Sequence, residues 1–519
     1  MKNANRTTWL LAWVLTLASC ASASDQRAPA VAGSFYPANP AELQATVDRL
    51  LARATPPAIS DPIVALISPH AGYPYAGAVE AQSYALLKGR HYGRVIIIAP
   101  SHYDGFSFAS IYDGNAYVTP LGAIPVDKEF AAKLARLSPQ IKLSSRGHTP
   151  VGQQGEHSLE VQLPFLQRAL GQFKLVPIVM GEQDYDLCRA LGVALAKAMQ
   201  GSTDTLIVAS SDLSHFHPYD DAVKLDTKFL NAVQAWDYLS MSRNLDNRTW
   251  EACGGGPIIA AMIAAERLGA TEARLLKYAN SGDVAPPRDR VVGYGALALL
   301  RAPVQEVKPK PYSLTTKEKQ ELLRIARQAV ETAVRTRKIY EPPAPQSAAL
   351  LEERGAFVTL NQRGQLRGCI GYGAANKPLY LTVRDVAIFA ALRDNRFPPV
   401  TPSELNSLEY EISVLSPFRH VRDVKEIQLG RHGLVLRKGY NEGYFLPQVP
   451  VEQHWDRDTY LQEIGLKAGL SRHAWKDDGA DLFLFTALVF GGHNLTDEPD
   501  PLAKPKDQPL PPGPGSPPR

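Results

Sequence analysis

Four short apolar runs set the first constraint on how this chain folds. Ile63 to Ser68 (IVALIS), Val95 to Ala99 (VIIIA), Leu175 to Met180 (LVPIVM) and Leu206 to Ser210 (LIVAS) offer almost no side chain to water on either alternation. Runs of this length fit strands covered on both faces, as in a mostly parallel sheet. Helical patterns lie between them, over Asp184 to Met199 and Pro257 to Leu268. The second has proline at its first position and Gly269 just past its end, the usual asymmetry of helix termini. Alternation of this kind predicts an α/β domain, here over residues 28–301.

At 519 residues the chain exceeds one ordinary core. Residues 302–312 (APVQEVKPKPY) read as a linker with little to bury. A smaller α+β domain is expected over 313–492. It opens with a helix, capped by the Thr315-x-x-Glu318 box and carrying Leu322, Ile325, Ala326, Ala329, Val330 and Val334 at helical spacing. Strands are expected at Phe357 to Leu360, Tyr410 to Leu415 and Leu434 to Arg437. Residues 499–519 end in PKDQPLPPGPGSPPR, a tail whose prolines keep it extended.

The first residues bear on compartment. Lys2 and Arg6 precede Trp9 to Leu17 (WLLAWVLTL), an apolar stretch too short to span a bilayer. It runs into Leu17-Ala18-Ser19-Cys20, which resembles the bacterial lipobox. Residues 1–20 are therefore expected to be a signal peptide. Acylated Cys20 would become the first mature residue and anchor an exported lipoprotein in the cell envelope, in the periplasm or at the outer membrane. Cleavage after Ala23, giving a soluble periplasmic protein, is the alternative. Without Lys2 and Arg6 the formal charge of +4 approaches neutrality, which argues against a general nucleic-acid binder. Without Cys20, the remaining Cys188, Cys253 and Cys369 cannot form a complete disulfide framework.

Three of the apolar runs end in similar polar clusters. Ile63 to Ser68 leads into Pro69-His70-Ala71-Gly72-Tyr73, Val95 to Ala99 into Pro100-Ser101-His102, and Leu206 to Ser210 into Ser211-Asp212-Leu213-Ser214-His215. Ligands of open α/β sheets bind at the carboxyl ends of the strands, so these histidines can converge. Cys253, in Glu251-Ala252-Cys253-Gly254-Gly255-Gly256-Pro257, precedes a helix whose unpaired N–H groups favour a thiolate. The three glycines allow close backbone approach and unusual dihedrals. Taken singly, each histidine also fits a loop residue with satisfied hydrogen bonds, and Cys253 a small buried hydrophobe. His157 and Glu160 lie three apart on an expected helix, where they form either a proton relay to a ligand or a surface pair without chemistry.

Pro69-His70-Ala71-Gly72-Tyr73, Pro100-Ser101-His102, Glu156-His157-Ser158-Leu159-Glu160, Ser210-Ser211-Asp212-Leu213-Ser214-His215 and Cys253-Gly254-Gly255-Gly256-Pro257 match, in order, the signatures of the Memo family. That family is similar in fold to the LigB-type extradiol dioxygenases. The resemblance implies His70, His102 and Cys253 as ligands of one metal ion, iron or copper, with Asp212, His215 and His157 lining the pocket. Imidazole and thiolate donors also suit zinc, and three protein ligands leave an open position for an unknown small molecule or O2. The dioxygenases use two histidines and a carboxylate. A cysteine in the third place points to redox chemistry or metal handling instead of ring cleavage. The alternatives are a non-catalytic metal-handling or docking module and a zinc-type hydrolase.

In the second domain, Leu366-Arg367-Gly368-Cys369-Ile370-Gly371 fits a tight turn that either presents a thiol beside Arg367 or packs a small residue. With Asp394-Asn395-Arg396-Phe397-Pro398-Pro399, Arg431-His432-Gly433 and Leu446-Pro447-Gln448-Val449, it resembles the AMMECR family. Memo-like and AMMECR-like proteins are grouped with a radical SAM protein in the AmmeMemoRadiSam system. This chain has no CxxxCxxC motif, so a radical SAM protein would be a separate partner.

Overall fold

The computed structural model describes residues 25–150, 155–303, 312–373 and 376–491. The expected signal peptide with Cys20, the core of the linker and the proline-rich tail lie outside the described residues. Among the described residues no helix is long and apolar enough to cross a membrane.

The N-terminal domain is built on a nine-stranded sheet. Its strands, in chain order, are β1 (Ile63–Ser68), β2 (Arg94–Pro100), β3 (Ala109–Ile111), β4 (Ile141–Leu143), β5 (Lys174–Met180), β6 (Thr205–Ser210), β7 (His215–His217), β8 (Glu272–Asn280) and β9 (Val291–Leu300). The spatial order is β7-β9-β1-β6-β2-β5-β3-β4, with β8 on the other side of β9. The four apolar runs are the central strands β1, β6, β2 and β5, all mutually parallel. The flanks correct the expectation of a mostly parallel sheet: β9 is antiparallel to β1, β7 and β8, and β3 is antiparallel to β5. The four central strands, which lie under helices on both faces, keep the parallel arrangement that needs cover on both sides, and the short edge pair β3 and β4 is also parallel.

Successive residues of the central strands enter opposite cores. Ile67, Ile96, Ile98, Ile178 and Ile207 face the helices Tyr185–Met199 and Gly255–Arg267, while Leu66, Val95, Ile97, Val179 and Val208 face the helices Pro40–Arg53, Tyr73–Ala85 and Gln162–Leu170. The helix Tyr185–Met199 starts where Asp184 caps the Leu187 N–H at 3.0 Å. The helix expected from Pro257 begins two residues earlier, at Gly255, and Gly269 follows it at φ +89°.

The second domain holds two four-stranded antiparallel sheets. One (Gln365–Tyr372, Ala356–Gln362, Leu408–Leu415, Ala487–Gly491) packs beneath the helices Thr316–Thr336 and Leu379–Leu392. Thr315 and Glu318 form the expected capping box. Cys369 lies within the strand Gln365–Tyr372 and not on a turn; the turn falls at Arg363 and Gly364, both at positive φ. Arg367 pairs with Glu404 at 2.8 Å, and burial pushes the Cys369 thiol up, opposite to the expected activation. Cys188, Cys253 and Cys369 are all free thiols.

The second sheet (Arg419–His420, Asp481–Phe485, Gly433–Lys438, Asn441–Phe445) faces the first domain. Phe418, Val435, Phe483 and Phe485 join the same apolar core as Tyr238, Leu239 and Ile263, so the two domains share one hydrophobic interior. The core leaves no slack where the helices Tyr185–Met199 and Gly255–Arg267 cross. A Cβ on Gly192 would stand 2.7 Å from both Ala260 O and Ile263 Cβ. Gly192→Val is therefore expected to lower stability by about 1–3 kcal/mol, from overpacking. Urea unfolding of the two proteins gives the difference; an unchanged midpoint would show room at the crossing.

Candidate metal centre

β1, β6 and β2 are neighbours, so their carboxyl ends release His70, Asp212 and His102 at one edge of the sheet. His70 is 1% exposed. Its Nδ1 lies 2.8 Å from Ser210 Oγ. That hydroxyl spends its single proton on Ser158 O (2.6 Å) and receives another from Gln162 Nε2 (2.9 Å). It can only accept from His70, so the His70 proton sits on Nδ1 and Nε2 keeps its lone pair. Burial, and then the neighbouring His157, His102 and His215, keep the ring neutral by lowering its pKa well below the ordinary value.

Glu156 fixes His102 in the same sense. Its carboxylate accepts from the His102 N–H at 2.6 Å and from Nδ1 at 2.9 Å, and from the His157 and Ser158 N–H groups at 2.9 and 3.0 Å. Burial alone would raise Glu156, but these hydrogen bonds outweigh it and hold the carboxyl at about 2. His102 Nε2 is thus also left with a lone pair. The ring centroids of His70 and His102 are 5.2 Å apart, and His157 stacks on His102 at 4.7 Å. His157 is pushed down to about 4, chiefly by burial, and its Nδ1 is buried without a hydrogen-bond partner.

His70, His102 and His157 each offer a nitrogen within 4.8 Å of the others, so this group could hold a metal ion. The donor set fits one: two imidazoles have their tautomers fixed from behind, and a third carries an orphaned buried nitrogen. Cys253 reaches the same ring, its Sγ 3.1 Å from His70 Nε2. No triad containing Cys253 meets the 4.8 Å spacing among the described residues. Asp212 completes the surroundings. Its Oδ1 accepts from the His70 N–H at 2.8 Å, its Oδ2 lies 4.0 Å from His70 Nε2, and burial raises it to about 6. His215 donates from Nδ1 to Leu213 O at 2.8 Å, if its proton lies there, and shares with Cys253 the wall of a cleft of about 520 Å³. Leu245 and Trp250 form the apolar part of that cleft, and Glu182, Asp184, Asp246 and Glu251 its charged part.

Three expectations are corrected. Burial and the Asp212 carboxyl push the Cys253 thiol up in the metal-free protein, overriding the helix N-terminus behind it. The glycines after Cys253 take no positive φ. They serve close approach, since a Cβ on Gly254 would stand 2.1 Å from Ser210 O. Nor do His157 and Glu160 share a helical face, because the helix begins at Gln162. Glu160 turns away to a buried ion pair with Arg27 (2.5 Å) and accepts from the Ala30 and Val31 N–H groups and Tyr36 Oη. Sequence reasoning gave Glu156 no role; its place immediately before His157 was the available signal.

Glu156 links the centre to stability. Its folded pKa of about 2 lies below the ordinary 4.5, so its contribution is fully present above about pH 5 and lost as pH falls toward 2. The shift corresponds to about 3 kcal/mol. In the metal-free protein, Glu156→Gln is expected to be destabilised by roughly that amount at neutral pH, with the gap from wild type closing under acid. Chemical denaturation across the pH range measures this, and a gap independent of pH would refute it.

Comparison with known proteins places this geometry. Residues 27–298 match the model of the Memo-like protein family, and residues 323–490 match that of AMMECR1. A MEMO1 family protein of Methanopyrus kandleri is 37% identical over 287 residues, covering 53% of this chain and 99% of the relative. Another, from Methanothermobacter thermautotrophicus, is 37% identical over 280 residues, covering 52% and 99%. Among solved structures, an uncharacterized protein from Pyrococcus horikoshii is 40% identical, covering 33% of this chain and 89% of its own, with a TM-score of 0.32. With a catalogue of motifs, a matched family model and relatives spanned almost end to end, this chain belongs to the Memo family, and it carries an AMMECR1 domain behind its Memo domain.

Proposed function

We propose that the Memo domain, on a LigB-dioxygenase-like scaffold, is a metal-dependent redox module acting on a small organic molecule or O2. His70, His102 and Cys253 would hold one iron or copper ion. The observation that carries this reading is the pair of Nε2 lone pairs on His70 and His102, each set by a hydrogen bond at Nδ1. When bound, such an ion supplies one-electron chemistry at a site with an imidazole and thiolate donor set.

The surrounding residues would handle protons and substrate. Asp212, raised to about 6, can take up or release a proton near neutral pH. His157, lowered to about 4, stays neutral and can accept a hydrogen bond at a free ring nitrogen. His215 would meet a substrate lying in the cleft, where it and Cys253 share a wall.

A second reading, a non-catalytic metal-handling module, is favoured by the nearness of His157. Three imidazoles and a thiolate around one ion would close the open position that a reactive site needs. Zinc in place of a redox metal would favour a hydrolase. The lipobox-like Leu17-Ala18-Ser19-Cys20 supports export with acylation at Cys20, and the pairing of Memo and AMMECR1 domains supports association with a separate radical SAM protein.

Purified protein is expected to carry about one iron or copper ion per chain, and a His70→Ala/His102→Ala/Cys253→Ala variant to carry none. Metal analysis by plasma mass spectrometry decides this, and equal metal in both would defeat the reading. Loss in Cys253→Ala with retention in His157→Ala identifies the third ligand as the thiolate. The reverse pattern identifies a histidine triad.

A further inference from the structure

We infer that the AMMECR1 domain positions Cys253, through the hydrogen bond of Asp481 to Tyr185 and the two residues of backbone that join Tyr185 to Gln183. This inference deepens the reading above and rests on Cys253 belonging to the centre.

Gln183 grips the Cys253 segment at both ends: its Nε2 donates to Cys253 O at 2.8 Å, and its Oε1 accepts from the Gly256 N–H at 2.8 Å. Two residues on, Tyr185 is held by the other domain. Its hydroxyl donates to Asp481 Oδ2 at 2.7 Å, and the Arg437 guanidinium lies over its ring at 4.3 Å. Asp481 also binds Arg189 at 2.8 Å and Arg267 at 3.3 Å. Arg267 ends the helix whose first turn follows Cys253. A third contact runs in parallel. Arg243 bonds Glu442 and Tyr444, and the last turn of its helix carries Leu245, whose Cδ1 would stand 2.5 Å from a Cβ on Gly255.

Three helices that the AMMECR1 domain holds, Tyr185–Met199, Tyr238–Asp246 and Gly255–Arg267, therefore have one end at the Cys253 segment or at the cleft beside it. A fourth, Tyr219–Gln234, is tied only by the partly exposed Lys228–Glu353 pair. Such a pattern is not needed merely to join two domains, since the shared apolar core already does so. It makes Asp481, Tyr185 and Gln183 positioning residues for the thiol.

The test uses the full chain. Tyr185→Phe removes one hydroxyl and leaves Asp481 its Arg189 and Arg267 partners, so the fold is retained; Gln183→Leu cuts the next link. Alkylation of Cys253 by iodoacetamide in the metal-free protein is followed by mass spectrometry, with Cys369 in the other domain reporting any global opening. Cobalt(II) titration is followed by sulfur-to-cobalt charge-transfer absorption. Both variants are expected to label Cys253 about tenfold faster, with labelling of Cys369 unchanged, and to lose charge-transfer intensity. Wild-type labelling of Cys253 in both variants would overturn the inference. Failure of wild-type protein to take up cobalt defeats the metal-centre reading alone, because alkylation is read without metal.

Discussion

Neighbouring strands of a sheet stand roughly 4.8 Å apart, and the candidate centre follows from β1, β6 and β2 being neighbours. Ser68 pairs with Ser210, and Ile98 with Ala209, so the three strands end at nearly one height. His70 and His102 leave strands separated by β6, and their rings meet only because β6 ends in small residues. Ser210 and Ser211 leave the space open, and each hydroxyl is put to use. Ser210 fixes the His70 tautomer, while Ser211 accepts from the Gly254 N–H at 2.9 Å and so anchors the Cys253 segment over the strand end. A larger residue at Ser210 would displace the His70 ring, and one at Ser211 would push away the Gly254 backbone.

The four central strands were legible because their side chains are apolar on both alternations, and the helix over Tyr185–Met199 because Asp184 announces its start. The antiparallel flank was not. Val291–Leu300 (VVGYGALALL) lacks the polar alternation that separates a strand from a buried helix, and nothing local specifies its partner. The histidines were legible through their recurrence at strand ends. Glu160 was misread because its partner, Arg27, lies 133 residues away. Cys253 was misread for a related reason: the helix N-terminus is visible in the sequence, but the burial that outweighs it is a property of the assembled fold.

The interface between the domains separates adhesion from orientation. Apolar contact of Phe418, Phe483 and Phe485 with the first domain supplies burial, which is strong but non-directional. Asp481, 2% exposed, is a different kind of contact. Burial works against its charge, and Arg189, His420 and Arg267 outweigh that and hold its carboxyl below the usual range. A buried ion cluster of this kind is a poor source of net stability, since desolvation offsets most of the attraction. Covalent fusion already keeps the domains at high effective concentration, so the charges are not required for affinity. What they add is a single allowed geometry, because each donor must meet the one carboxylate at hydrogen-bond distance. That geometry is imposed on the start of the helix Tyr185–Met199, beside Gln183, and on the end of the helix Gly255–Arg267, whose first turn follows Cys253; a displacement of an ångström there matters most to a ligand atom.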